Sequence, residues 1–209
     1  MKISNPLPAA LLSLGLLACG SNVTPSENPT EPTSATASTA TAPATEENVE
    51  APDPGGIPER GDDAERPSKN GEVVMTSGSL TTTIRYGRPN VNGRTIFGDL
   101  VAYDSIWRTG ANEATTITFS EAATFGGTAV DAGTYSFFAI PGETEWTLIL
   151  NRDAQQWGAS RYDEAQDAAR VTVTPSAAAA MEEMTFADEG GNLVLRWAEV
   201  GVPVPVAAN

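Results

Sequence analysis

Apolar and polar residues alternate with a period of two along several short segments in the C-terminal two thirds of the chain. The alternation is clearest over residues 80–86, 146–150 and 193–197, where every second position is mainly Leu, Ile, Tyr or Trp. Because the side chains of a strand point alternately to its two faces, this pattern predicts strands with one buried face. Apolar and β-branched runs predict further strands over residues 115–119, 134–140, 170–174, 184–187 and 202–206.

Turn-forming residues separate these segments. The glycine pairs at 126–127 and 190–191 can adopt positive φ, and Pro141-Gly142 suits the central positions of a type II turn. About eight to ten short strands with little helix indicate an all-β fold, either an antiparallel β-sandwich or a jelly roll. At most one short helix is expected, over residues 176–183, because this segment contains four consecutive alanines.

The N-terminal third lacks the residues that a hydrophobic core requires. Residues 20–70 contain eight prolines and no aromatic residue, whereas every Trp, Tyr and Phe lies at or beyond Tyr86. Such a segment buries too little apolar area to offset the conformational entropy lost on folding. The composition therefore predicts a disordered, acidic linker over residues 19–70 and one folded domain over residues 71–209, which is a common domain size.

The first residues have the features of a bacterial lipoprotein signal peptide. Lys2 precedes an apolar stretch, residues 7–18, that is too short to span a bilayer. The sequence L-L-A-C at 16–19 resembles a lipobox, in which the cysteine thiol receives a lipid. We therefore expect a signal peptide over residues 1–18, membrane contact through lipid on Cys19, and a location in the bacterial cell envelope on its periplasmic or cell-surface side. The alternative is an ordinary signal peptide with an incidental cysteine.

Charge and missing residue types narrow the chemistry further. A formal net charge of -15 provides no basic surface for phosphates, so no nucleic-acid partner is expected. The chain has no histidine, and Cys19 is its single cysteine, which excludes the usual Ser-His-Asp and Cys-His nucleophiles and any site with His or Cys ligands from one chain. We expect no cofactor and no metal. Calcium is the one ion that oxygen ligands leave open, although the acidic residues around Asp163 lack EF-hand spacing.

The alternation fails between Tyr86 and Thr115, where the chain is rich in glycine and polar residues. Long polar loops often carry function, because arginine binds anions, amides and carboxylates bind hydroxyl groups, and aromatic rings stack on ligands. Trp157 is a second candidate for stacking. The candidate ligand contacts in the loop are Arg94, Tyr103, Trp107, Arg108, Asn112 and Glu113.

A structural role for the same loop is the alternative. In that case Arg94 or Arg108 pairs with Glu113 to satisfy buried loop backbone, and Trp107 fills the core. Under either reading, we expect Arg108 and Glu113 to lie within salt-bridge or single-water reach of each other. An open pair beside a cavity would favour ligand binding, and a closed, dry pair would favour a clamp.

Four motifs resemble those of a known family. They are G-R-T-I-F-G at 93–98, W-R-T-G-A-N-E-A-T at 107–115, G-T-Y-S at 133–136 and W-T-L-I-L-N at 146–151. In order and spacing they resemble the family called domain of unknown function 2911 (DUF2911), over about residues 75–205. The resemblance implies a single domain and a secreted or lipid-anchored envelope protein. It implies no activity and no catalytic residue.

Three classes of function remain. The preferred hypothesis is a binding module for a small polar ligand, such as a sugar or an anion. The second is a structural or protein-interaction module that uses the predicted edge strand over residues 202–206, although Pro203 and Pro205 remove backbone donors there. The third and least favoured is a carboxylate-dependent hydrolase. Its candidate acidic residues are Glu113 together with Asp99, Asp104 or Asp163.

Overall fold

Antiparallel strands form almost all of the regular structure in the computed structural model, which describes residues 59–209. The predicted signal peptide, Cys19 and most of the predicted linker lie outside the described residues. Within the described range, only two 3-10 turns are helical, and no helix is long and apolar enough to cross a membrane. The strands are β1 (Lys69–Ser77), β2 (Leu80–Arg88), β3 (Thr115–Phe119), β4 (Ala123–Phe125), β5 (Thr128–Val130), β6 (Gly133–Pro141), β7 (Trp146–Asn151), β8 (Asp167–Val173), β9 (Ser176–Asp188), β10 (Leu193–Val204) and β11 (Val206–Ala208).

The strands form two layers with a hydrophobic core between them. One layer is a six-stranded sheet in the order β1-β2-β3-β6-β7-β8, and the other contains the β9-β10 ribbon and a small β5-β4-β11 sheet. The expected all-β sandwich is confirmed. Fully buried side chains contributed by both layers include Ile84, Phe137, Leu148, Phe125 and Trp197.

Alternation predicted the buried face of β2 correctly. Leu80, Thr82, Ile84 and Tyr86 are all buried, while the residues between them are partly exposed. In β7 the expected half-burial is incomplete, because Ile149 on the opposite face is also buried, packed with Phe138 under Tyr162. The central strands of the large sheet are therefore covered on both faces. The irregular segment between β7 and β8, which includes Tyr162, covers the outer face.

The helix expected over residues 176–183 does not form. These residues belong to β9, which pairs with β10 from Ser176 opposite Gly201 to Asp188 opposite Leu193. A single short run of alanines gains little from helix propensity, because isolated short helices are marginal in water. Pairing along the whole ribbon, together with burial of Met184 on β9, outweighs that local preference.

Two turn predictions have different outcomes. The glycine pairs at 126–127 and 190–191 have positive φ and connect β4 to β5 and β9 to β10, as expected. Pro141, however, ends β6 opposite Trp146, and Gly142 does not have positive φ, so the expected type II turn is absent from this connection.

The expected strand over residues 202–206 is divided between two elements. Val202 and Val204 belong to β10, and Val206 begins β11, which pairs with β4. Pro205 lies between the two strands and has no N–H to donate, although its carbonyl accepts a hydrogen bond from the Gly126 amide at 2.8 Å. Both elements lie at edges of their sheets, in agreement with their proline content.

The folded domain also begins before residue 71, the expected boundary. A 3-10 turn spans Asp63–Glu65, and β1 already starts at Lys69. Composition alone assigned residues 59–70 to the linker because they contain no large apolar side chain. Polar contacts, described below, attach this segment to the domain.

Gly126→Ala is expected to lower the free energy of unfolding by about 2 to 3 kcal/mol. Residue 126 has a φ of +56°, which costs a non-glycine residue about 1 kcal/mol, and an added Cβ would lie 2.2 Å from Cγ2 of the β-branched Val171. The matched control is Gly127→Ala, where φ is +85° but no atom lies within 4 Å of the added Cβ. Chemical denaturation that shows equal losses for both variants would contradict the packing against Val171.

Candidate functional site

The loop that contains W-R-T-G-A-N-E-A-T leaves the large sheet beside β6 and returns to it at the start of β3. Trp107 pairs with Ala139 of β6 through hydrogen bonds of 2.8 and 2.9 Å, and the chain returns at Thr115, which pairs with Phe137. The Thr115 amide donates to the Arg108 carbonyl at 3.2 Å and closes the excursion. The intervening residues, 109–114, therefore project from a fixed base.

Hydroxyl groups and glycine fix the base of this excursion. The Thr109 hydroxyl donates to the Phe137 carbonyl at 2.9 Å, and the Thr115 hydroxyl donates to the Thr109 carbonyl at 2.8 Å. Gly87 of β2 allows the loop to pack closely, because a Cβ there would lie 2.2 Å from the Ala111 carbonyl oxygen. The loop is thus a rigid platform built on strands β2 and β6.

At the tip of the platform, Glu113 binds two arginines from the segment before β1. Arg66 donates from its two terminal nitrogens to the two carboxylate oxygens, at 2.8 and 2.9 Å, and Arg60 lies 3.6 Å from Oε2. The Gly61 amide also donates to Oε1 at 3.1 Å. The three charged side chains are only 8 to 13 % exposed. This ionic cluster attaches the N-terminal segment to the domain.

The cluster keeps Glu113 ionised. Burial alone would raise the pKa of this carboxyl group, but the hydrogen bond from Arg66, the backbone hydrogen bonds and the charge of Arg60 lower the pKa to about 2. A carboxylate with both oxygens engaged cannot supply a proton at neutral pH, so the geometry disfavours Glu113 as the general acid of a hydrolase. No group of three or more acidic residues able to hold a metal ion occurs within residues 59–209.

The expected pairing of Glu113 with Arg94 or Arg108 is wrong. Arg60 and Arg66 occupy the carboxylate instead, and neither of the expected arginines forms an ion pair in the described part of the chain. The sequence contained a signal for this: the three basic residues of residues 20–70 all lie between positions 60 and 69. Asn112 acts in the same attachment, since its amide donates to the Ser68 carbonyl at 3.1 Å.

Arg108 instead lines a separate cavity of about 240 Å³, here called the Arg108 pocket. Its wall includes Ser68, Arg94, Trp107 and Trp197. Burial lowers the pKa of Arg108, yet a guanidinium remains charged at neutral pH. Its Nε is buried and has no hydrogen-bond partner among residues 59–209. The pocket thus holds a cation without a counter-ion from the described chain.

Trp197 of β10 lines the same pocket. Trp197 is only 2 % exposed, and its indole N–H is buried with no hydrogen-bond partner in the described chain. Its ring stacks on Trp107 at a centroid distance of 5.9 Å and an interplanar angle of 17°. Sequence analysis assigned Trp197 to the core through alternation and missed its place at the pocket. No local motif indicates this role, because β10 and the loop meet only in the folded structure.

Of the remaining residues predicted from sequence, Arg94 also lines the Arg108 pocket, whereas Tyr103 and Trp157 do not. Arg94 is exposed and donates to the Val91 and Asn90 carbonyls at 3.0 and 2.5 Å, while still lining the pocket. Tyr103 lines a different, larger crevice. Trp157 is 63 % exposed and its backbone pairs with Glu113. The loop residues therefore do not converge on a single site.

Glu113→Gln is expected to lower the free energy of unfolding by about 3 to 5 kcal/mol at pH 7, because it leaves two neighbouring guanidinium groups without a carboxylate. Glu72→Gln is the matched control. It removes an ion pair with Arg85 whose side chains are 39 % and 49 % exposed, and it should cost under about 1 kcal/mol.

The stability difference between the wild type and Glu113→Gln should depend on pH in a defined direction. The folded pKa of Glu113 is about 2, below its ordinary value of 4.5. The carboxylate therefore stabilises the folded state above about pH 4.5, and this contribution is lost as the pH falls through about 2. The stability difference between the wild type and Glu113→Gln should stay constant near neutral pH and shrink in acid. A difference that persists at about pH 2 would exclude the ionic cluster as its cause.

The family profile described as "Protein of unknown function (DUF2911)" matches residues 68–206, which include both the large loop and the Arg108 pocket. Comparison with curated proteins and with solved structures finds no match to this chain. Since the profile covers most of the sequence, the chain belongs to the DUF2911 family.

Proposed function

We propose that this protein is a lipid-anchored envelope protein whose domain binds a small ligand through an anionic group in the Arg108 pocket. The observation that carries the proposal is the partly buried guanidinium of Arg108 in the pocket wall, which forms no ion pair within residues 59–209 and whose buried Nε has no hydrogen-bond partner there. A partly buried charge without a counter-ion costs free energy, so this cation favours a ligand that supplies an anionic group.

A comparison within the chain supports a binding role for Arg108. Burial lowers the pKa of both Arg60 and Arg108. Arg60 has its counter-ion in Glu113, whereas Arg108 has none among the described residues. An arginine that served only to stabilise the loop would be expected to have a counter-ion like that of Arg60.

The size and donors of the pocket define the class of ligand. A volume of about 240 Å³ suits a compact group, and a guanidinium fork favours an oxyanion with two acceptors, such as a carboxylate or a phosphate. The stacked rings of Trp107 and Trp197 supply a rigid apolar wall for the body of such a ligand. An uncharged sugar would leave the cation unpaired and is less favoured.

Arg108→Met is expected to abolish binding of acetate and inorganic phosphate, or to weaken it at least about tenfold, in calorimetric titrations. The melting temperature should be unchanged or higher, because the variant removes an unpaired buried charge. Trp197→Phe removes one donor while retaining an aromatic ring, and should weaken binding less. Arg161→Met, at an exposed position outside the pocket, is the control.

The opposite result separates the two readings of this loop. If neither anion binds the wild type, and Arg108→Met lowers the melting temperature by many degrees, Arg108 is a structural residue. Acetate and phosphate are separate arms of the titration, so their relative affinities distinguish a carboxylate ligand from a phosphorylated one.

The lipid anchor is supported by the lipobox at 16–19 and by the apolar stretch before it. Cys19→Ser is expected to eliminate incorporation of labelled fatty acid in a bacterial host, because the acceptor thiol is absent. Persistence of the label in this variant would contradict lipidation at Cys19. Fractionation of the same cells tests whether the protein leaves the membrane fraction.

A further inference from the structure

A long crevice runs between the two layers of the sandwich, apart from the Arg108 pocket. It consists of two adjoining cavities of about 570 and 350 Å³, which share Phe97, Tyr103, Glu199 and Val200 in their walls. Trp146 of the large sheet lines the smaller cavity and Met181 of β9 lines the larger one. We refer to these joined cavities as the β9 crevice.

The β9-β10 ribbon is irregular where it lines this crevice, although Val202 and Val204 further along β10 are again buried in the core. The pairing register of the ribbon shifts on both sides of Ala198, which has a φ of +51°. On the facing strand, the four alanines at 177–180 have side chains too short to fill the space, and most of them are exposed. Ala177 and Ala180 of this run line the crevice.

The charge of the β9 crevice is opposite to that of the Arg108 pocket. Glu143, Glu182 and Glu199 line it, and Glu143 and Glu199 form no ion pair within residues 59–209. The one cationic residue in the wall is Arg94, whose guanidinium donates to backbone carbonyls. Phe97 and Tyr103 line both cavities together with Glu199. Such walls favour a cation that also has apolar surface.

The same charges argue against occupants supplied by this chain. Residues 20–58 contain six acidic residues and no basic residue, so the N-terminal segment would be repelled by the crevice. A second copy of the chain has a formal net charge of -15 and is disfavoured for the same reason.

We propose that the β9 crevice is a second binding site, specific for a small organic cation with an aromatic or aliphatic body. The ammonium group lies among the carboxylates of Glu143 and Glu199, and the apolar body packs on Phe97, Tyr103 and Val200. This site is independent of the anion-binding function proposed above.

The test uses the folded wild-type protein and three probes of similar shape, followed by NMR chemical shifts. These probes are 2-phenylethylammonium, the neutral 2-phenylethanol and the anion 3-phenylpropionate. The cation should bind about tenfold more tightly than the neutral probe, and the anion should not shift the resonances of crevice residues. Equal shifts for all three probes, or none for the cation, would overturn the proposal.

Two variants locate the binding. Glu143→Gln together with Glu199→Gln should weaken the cation about tenfold and leave 2-phenylethanol unchanged. The control, Asp131→Asn together with Glu65→Gln, makes the same charge change at exposed positions outside the crevice and should have no effect. Ala180→Trp, at an exposed wall position, should block the cation and the neutral probe alike. Unchanged affinity in both variants would contradict a site in the crevice. Arg108→Met should bind the cation normally, which separates this result from the fate of the Arg108 pocket.

Discussion

The ionic interaction of the Glu113 carboxylate with two arginines is the one on which both the start of this domain and the loop over residues 108–114 depend. The carboxylate lies at the tip of a loop that leaves the large sheet after Trp107 and returns at Thr115, and it binds Arg60 and Arg66 from the segment before β1. Burial of a carboxylate between two cations costs desolvation free energy, which the short-range attraction to both guanidinium groups offsets. The loop and the N-terminal segment therefore order each other, and neither has a large apolar side chain with which to do so alone.

Neighbouring side chains of the nine-residue motif at 107–115 face different surroundings. Thr109, Asn112 and Glu113 hydrogen-bond to β6 or to the N-terminal segment and make the platform rigid. Arg108 belongs to the same platform, but its side chain forms no ion pair within residues 59–209 and its Nε has no hydrogen-bond partner there.

The sandwich could be predicted from sequence because burial of one face of a strand imposes a period of two on its apolar residues. Strand β2 follows that rule from Leu80 to Tyr86. The predictions that were wrong concern residues whose structure depends on partners distant in sequence. The alanines at 177–180 are extended only because β10 pairs with them, and Arg60 was assigned to a linker because composition records apolar content and not ion pairs. The position of Trp197 in the Arg108 pocket could not be predicted for the same reason, since the pocket wall joins segments almost ninety residues apart.

The low pKa of Glu113 also bears on what kind of chemistry this loop supports. Proton transfer at neutral pH requires a group whose pKa lies near the working pH, whereas two guanidinium groups hold this carboxyl group at about 2. The other charged residue of the motif, Arg108, is a permanent cation and cannot exchange protons either. Fixed charges of this kind select ligands by electrostatic complementarity and geometry without taking part in bond cleavage. The fixed charges of the platform therefore disfavour acid–base catalysis by this loop, in agreement with the anion binding proposed above.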